Sequence, residues 1–332
     1  MPVRRPAAAL AALLALTLTG CGAQVEKAAP DDRGTAVTIE NCGRKVTFDK
    51  VPERVVTNDV GITEIMFALG LEDRMAGFVM PDDKGKLSGV PWKDGYEKAK
   101  WLSKDEITKE LAVDARADMV FAGWNYGFRE GGLTPASLRK LGIDSYVLTE
   151  SCHNGRGSAR GIMPPLEALY TDLTQLGKLF GAEDRARKLI TDFKARVAEV
   201  RRKAPKGADR PSVFLYDSGQ DKPFTAGRYA APDEIIAKAG GRSITHDLAD
   251  SWTTVGWETV VERNPETIVI CDYGDTTAEQ KKQFLLHYKP LANVSAIKNK
   301  RIVTLDYADL VESPRNASAV ERLAAHLRAV RR

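Results

Sequence analysis

AEDRARKLITDFKARVAEVRRK, residues 182–203, is the stretch on which the fold turns. Leu189, Ile190, Phe193, Val197 and Val200 recur at helical spacing, which predicts one amphipathic helix. Glu183 and Asp184 open it, and Arg201, Arg202 and Lys203 close it, so each end complements the helix dipole. Pro205 and Gly207 end it. A run of about 20 residues at 1.5 Å each spans about 30 Å. A second helix precedes it, marked by Leu166, Leu169, Leu173, Leu176 and Leu179 and stopped by Gly181.

On both sides of this rod, strands alternate with helices. Upstream, residues 36–48 read as a hairpin turning at Cys42-Gly43. Strands are expected at 54–57, 74–80, 119–122 and 144–148, and helices at 62–69, 108–115 and 135–141. Downstream, strands are expected at 213–216, 267–271 and 301–305, and helices at 233–239, 258–262 and 316–330. Such alternation implies parallel sheets covered on both faces. The fold class is therefore α/β: two lobes with central sheets, residues 36–182 and 205–332, bridged by one long helix at 183–204.

The N-terminus is a different matter. Arg4 and Arg5 precede an apolar run, Ala7 to Leu18, that is too short for a membrane span. This is the pattern of a secretory signal peptide, residues 1–20. The ending Leu18-Thr19-Gly20-Cys21 resembles the bacterial lipobox, which implies lipid on Cys21. Residues 21–35 are polar and aperiodic, and read as a flexible tether. The expected location is outside the cytoplasm, anchored to the cell membrane through Cys21.

The formal charge of +4 falls to about +2 once Arg4 and Arg5 leave, and no basic stripe points to nucleic acid. Cys42 and Cys152 both lie in loops, whereas Cys271 ends an apolar run. An oxidising compartment makes Cys42–Cys152 the preferred disulfide, with unpaired thiols as the other state. No Cys-x-x-Cys occurs, and the four histidines are dispersed, so no metal site is expected.

Two segments 148 positions apart echo one another. Glu110, Asp118 and a strand from Met119 match Glu258, Glu266 and a strand from Thr267. Each segment ends near an aromatic-glycine pair, Tyr126-Gly127 and Tyr273-Gly274. One such segment per lobe suggests similar lobes about a pseudo-two-fold axis.

With Val51-Pro52-Glu53-Arg54-Val55-Val56, Ala68-Leu69-Gly70, Pro223-Phe224-Thr225-Ala226-Gly227 and Ala239-Gly240-Gly241, in that order, the chain resembles a bacterial family. These are the solute-binding proteins of ABC importers for ferric siderophores, haem and cobalamin, the class III periplasmic binding proteins. The resemblance covers roughly residues 36–330. It implies Rossmann-like lobes, a rigid connecting helix with modest lobe motion, and a monomer that works with a membrane permease. It also implies that Glu110 and Glu258 dock arginine pockets on that permease; as residues alone, they read equally as solvated helix glutamates.

Open α/β sheets bind ligands beyond the carboxyl ends of their strands. Those ends offer Asn58, Asp59, Trp124, Tyr126, Arg129 and His153 in the first lobe. In the second they offer Tyr216, Phe224, Arg228, Trp252, Tyr273 and Arg315. Aromatic rings beside arginines suit a large, flat, partly anionic ligand. A ferric siderophore is the first expectation, with cobalamin, haem or another large anionic cofactor precursor as the alternative. No cofactor of the protein's own is expected, since any iron would arrive chelated. An extracytoplasmic hydrolase is the lesser reading: Asp217-Ser218-Gly219 follows a strand but lacks the first glycine of Gly-x-Ser-x-Gly. A receptor signalling to a membrane partner is a third.

Overall fold

The computed structural model describes residues 36–80, 92–155, 158–204 and 210–329. The signal peptide, Cys21, the tether and the break at Pro205 therefore lie outside the described residues.

The chain enters through an antiparallel hairpin of β1 (Val37–Asn41) and β2 (Arg44–Phe48). Cys42 and Gly43 take φ of 49° and 69°, the paired left-handed turn that suits a two-residue hairpin. The Asn41 amide exchanges hydrogen bonds with both backbone groups of Val147, which fixes the hairpin to the edge of the first sheet. Cys42 joins Cys152 there, across a sequence separation of 110.

The first lobe holds β3 (Val55–Asn58), β4 (Met75–Val79), β5 (Trp101–Ser103), β6 (Met119–Ala122) and β7 (Asp144–Val147). They are all parallel, in the order β5-β4-β3-β6-β7. β3 and β6 are buried along their whole length, as β-branched and apolar residues at the centre of a covered sheet should be. This is doubly wound topology, and its order reverses between β3 and β6.

The second lobe repeats the plan with β8 (Ser212–Tyr216), β9 (Phe224–Ala226), β10 (Arg242–Ser243), β11 (Trp252–Thr254), β12 (Thr267–Asp272) and β13 (Ile302–Asp306). β10-β8-β12-β13 form the parallel sheet, with its reversal between β8 and β12. β9 and β11 form a separate antiparallel ribbon. The ribbon is absent from the sequence reading because its strands are only three residues long. Helix Ala278–His287 is absent from it too, since it buries only Lys281 and Leu285 and so shows no apolar stripe. Its signal is the capping box Thr277 to Gln280.

Among the described residues the chain passes between the sheets once, through helix Glu183–Lys203. Arg185 donates from this rod to the Ala68 carbonyl of the first lobe at 2.6 Å. One helical stretch later, Arg196 grips Glu321 of the terminal helix Asn316–Ala329 through two bonds of 2.9 and 2.7 Å. The lobes also touch directly. Gly61 lies so close to the second lobe that a Cβ there would sit 2.5 Å from the Glu312 carbonyl oxygen. Arg315 of the second lobe meets fully buried Glu64 of the first in a bidentate ion pair, and Tyr96 donates to the same carboxylate at 2.9 Å.

Removing one member of a buried ion pair typically costs about 3–5 kcal/mol. Arg315→Met is expected to destabilise the protein by about that amount in denaturant unfolding, with the double variant Glu64→Gln, Arg315→Met recovering much of the loss.

Candidate functional site

Both sheets aim their reversal points at the space between the lobes, and each places the same pair of residues there. In the first lobe, Asp59 follows β3. Its Oδ1 caps helix Val60–Ala68 through the Gly61 N–H at 2.7 Å, which holds the residue at φ 102°. Its Oδ2 accepts the Tyr126 hydroxyl at 2.8 Å, and Tyr126 follows β6. In the second lobe, Asp217 follows β8 and accepts the Tyr273 hydroxyl, just past β12, at 2.6 Å. Tyr307 ties the pairs together: its hydroxyl donates to Asp59 Oδ2 at 2.6 Å, and its ring lies 5.1 Å from that of Tyr273.

Above this floor opens a cleft of about 450 Å³. Trp124 and Tyr126, with ring centroids 5.8 Å apart, form one wall. Phe224 and Trp252, stacked at 5.9 Å across the β9–β11 ribbon, form the other. Tyr273, Tyr307 and Val311 complete the apolar lining, and Asn125, Ser158, Arg160, Asp217, Asp250, Thr253 and Thr254 supply polar groups. The arrangement can stack flat faces and hydrogen-bond their edges.

Five of the twelve expected ligand residues line this cleft: Trp124, Tyr126, Phe224, Trp252 and Tyr273. Asp59 lies just beneath. The others sit elsewhere for physical reasons. Asn58 is buried and accepts the Ile107 N–H at 3.2 Å. Tyr216 packs between Trp257 and Phe284 in the core of the second lobe. His153 is exposed in the loop after β7. The arginines move furthest from expectation: Arg129 pairs with Glu106 at 2.8 Å on the surface, Arg228 donates to the Asp247 carbonyl at 3.2 Å, and Arg315 holds Glu64.

Among the described residues, the arginine that lines the cleft is Arg160, which no motif marks. It donates to the Ser151 carbonyl at 2.7 Å and to Asn125 Oδ1 at 2.8 Å, while its backbone N–H meets Asp250 at 2.9 Å. Ring faces therefore carry more of the cleft than the arginine-rich expectation implied.

Behind the cleft the lobe boundary is acidic. Asp172 accepts the Tyr146 hydroxyl at 2.8 Å, the Thr149 N–H at 2.9 Å and the Thr149 hydroxyl. Burial nonetheless raises its carboxyl above the usual range, and burial together with Asp172 pushes Glu312 well up. Two carboxyls in contact in a dry site resist being ionised together. Glu150, also buried, is pushed up to about 8 by desolvation.

Glu110 and Glu258 occupy matching positions, each the second residue of a short helix, Lys109–Asp114 and Trp257–Arg263. Both are exposed. Its own backbone amide and the Thr108 side chain hold Glu110 below the usual carboxylate range. Three residues on, each helix exposes a valine, Val113 and Val261. No group of three metal-ligating side chains occurs among the described residues, and no described helix is long and apolar enough to cross a membrane.

The chain is 24% identical over 326 residues to an uncharacterised ABC transporter substrate-binding lipoprotein, YvrC, of Bacillus subtilis, covering 94% of this chain and 93% of that protein. It is 22% identical over 313 residues to the petrobactin-binding protein YclQ of the same organism, covering 90% of each. The crystal structure of a periplasmic binding protein from Veillonella parvula superposes with a TM-score of 0.74 at 24% identity, over 88% of this chain and 98% of that one. Residues 55–308, which hold both sheets and the rod between them, match the family described as Periplasmic binding protein, and the chain belongs to it.

Proposed function

We propose that this protein is the extracytoplasmic binding component of an ABC importer, which captures a ferric siderophore and hands it to a membrane permease. The observation that carries the reading is the ring-lined cleft at the reversal points of both sheets, closed below by paired Asp–Tyr contacts. Two lobes on one rod bind such a ligand reversibly. The YclQ relative, named for petrobactin, supports the siderophore class. The same rings accept a corrinoid or haem, which is the second reading because the lining is aromatic on both walls. Residues 36–182 form the first lobe, 183–204 the rod and 205–332 the second lobe. Residues 1–20 are removed on export, and lipid on Cys21 holds residues 21–35 as a tether, as the lipoprotein relative suggests. The Cys42–Cys152 bond suits that oxidising location.

Titration of intrinsic tryptophan fluorescence with ferric hydroxamates, ferric catecholates, haemin and cyanocobalamin is expected to give saturable quenching by an iron chelate. Trp124→Ala or Trp252→Ala should weaken it about tenfold, or about 1.4 kcal/mol each. Quenching by cyanocobalamin alone would overturn the siderophore assignment.

Permease docking follows from the repeated surface. Each lobe presents one exposed carboxylate and one exposed valine at equivalent places, Glu110 with Val113 and Glu258 with Val261. This suits a partner with two equivalent cationic pockets. Exposed ion pairs contribute only about 0–1 kcal/mol each, so the pair sets register more than affinity. Glu110→Lys with Glu258→Lys should abolish uptake into cells while chelate affinity in solution stays unchanged; undiminished uptake would refute the docking role.

A further inference from the structure

We infer that Glu150 is a positioning residue for ligand capture: from the first lobe, its carboxyl holds the Trp252 indole of the second lobe in the cleft wall. The inference rests on the binding-protein reading above. Glu150 lies in the turn Thr149–Ser151 after β7 and is buried. Its Oε1 accepts Trp252 Nε1 at 3.1 Å and the Ser251 hydroxyl at 3.2 Å. Its backbone N–H donates to Glu312 Oε2 at 2.9 Å. One residue thus engages two separate segments of the opposite lobe. An indole N–H only donates, so its acceptor fixes the direction of that edge of the ring, and the stack on Phe224 fixes the plane. That ring is stacked on Phe224 and lines the cleft.

The charges around Glu150 favour a neutral carboxyl. Glu312, in contact with Asp172, faces it from the second lobe, and Asp59 adds repulsion from the first. Against them, the Ala231 amide at the start of helix Ala231–Lys238 faces the carboxyl and, like the indole and the Ser251 hydroxyl, favours its ionised form, and desolvation outweighs all three. The nearby guanidinium of Arg160 donates to the Ser151 carbonyl and to Asn125. Burial raises Glu150 to about 8, so at neutral pH it holds both donors without adding charge to an acidic boundary. A carboxyl raised on folding contributes stability that is complete below the ordinary range of about 4.3 and is lost as pH rises through the folded value. Ionisation as pH passes about 8 therefore puts an unfavourable charge in a dry lobe boundary, and the indole N–H that donates to this carboxyl should report the change.

The test is the indole N–H resonance of Trp252 in ¹H–¹⁵N spectra of the mature chain, identified through Trp252→Phe. In the wild type it should shift with a midpoint near pH 8. Glu150→Gln, which keeps the acceptor and cannot ionise, should retain the low-pH position and lose the titration. Glu150→Leu should displace the resonance at every pH. It should also weaken the best-quenching chelate among ferrioxamine, ferric enterobactin, haemin and cyanocobalamin about tenfold, as expected when the indole in the cleft wall is left without its buried acceptor, with Glu150→Gln restoring affinity. An unchanged titration in Glu150→Gln, or an unmoved indole and affinity in Glu150→Leu, would overturn the assignment. If none of the four probes binds, the importer reading fails, while the indole titration still decides the role of Glu150.

Discussion

Asp59 accepts hydroxyl protons from both lobes, from Tyr126 on its own side and from Tyr307 across the boundary. The rest of the cleft depends on this contact. A carboxylate buried at the end of a central strand is costly unless donors converge on it, and here one donor is available only when the lobes meet. The same constraint acts on Glu64, which takes its guanidinium from Arg315 of the other lobe. Buried acids in the first lobe thus specify where the second must sit. A hydrophobic boundary would bring the lobes together as tightly, but it would define their angle less sharply, because apolar contact has no preferred direction.

The internal duplication explains how such a boundary arises. Asp118 precedes β6 and donates its N–H to the Arg54 carbonyl next to β3; Glu266 precedes β12 and donates its N–H to the Ser212 carbonyl of β8. Asp59 and Asp217 then follow β3 and β8, and Tyr126 and Tyr273 follow β6 and β12. One local plan, used twice and turned to face itself, yields two acid–tyrosine pairs on a common floor. It also puts Glu110 and Glu258 at the same place on each lobe's surface. The equivalence of Glu110 with Glu258 and the equivalence of the cleft floor are two consequences of one repeat.

The lobes, the rod and the order of elements were legible because they rest on local signals. The leucine run ending at Gly181, which takes φ 69°, and the charge-ended helix that follows it needed no long-range information. The aromatic half of the cleft was legible too, since Trp124, Tyr126 and Tyr273 sit directly after buried strands. The charged half was not. Arg129, Arg228 and Arg315 were placed by proximity to strand ends, but a guanidinium reaches far, and each finds a protein oxygen before it finds the cleft. Arg160 arrives from a loop whose path is set by Asp250, 90 positions away, and nothing local announces that.

Lobe motion follows from where these contacts lie. The rod is bonded to the first lobe at Arg185 and to the terminal helix at Arg196, so it cannot pivot freely at either end. Hinged binding proteins close on flexible crossings; here the chain crosses once among the described residues, as helix, and helices bend reluctantly. Small changes must therefore come from the boundary itself, where hydroxyl-to-carboxylate and indole-to-carboxyl bonds can lengthen without repacking a core. The cleft walls sit on that boundary. On the binding reading proposed above, a ligand between Trp124 and Trp252 would press on the contacts that join the lobes.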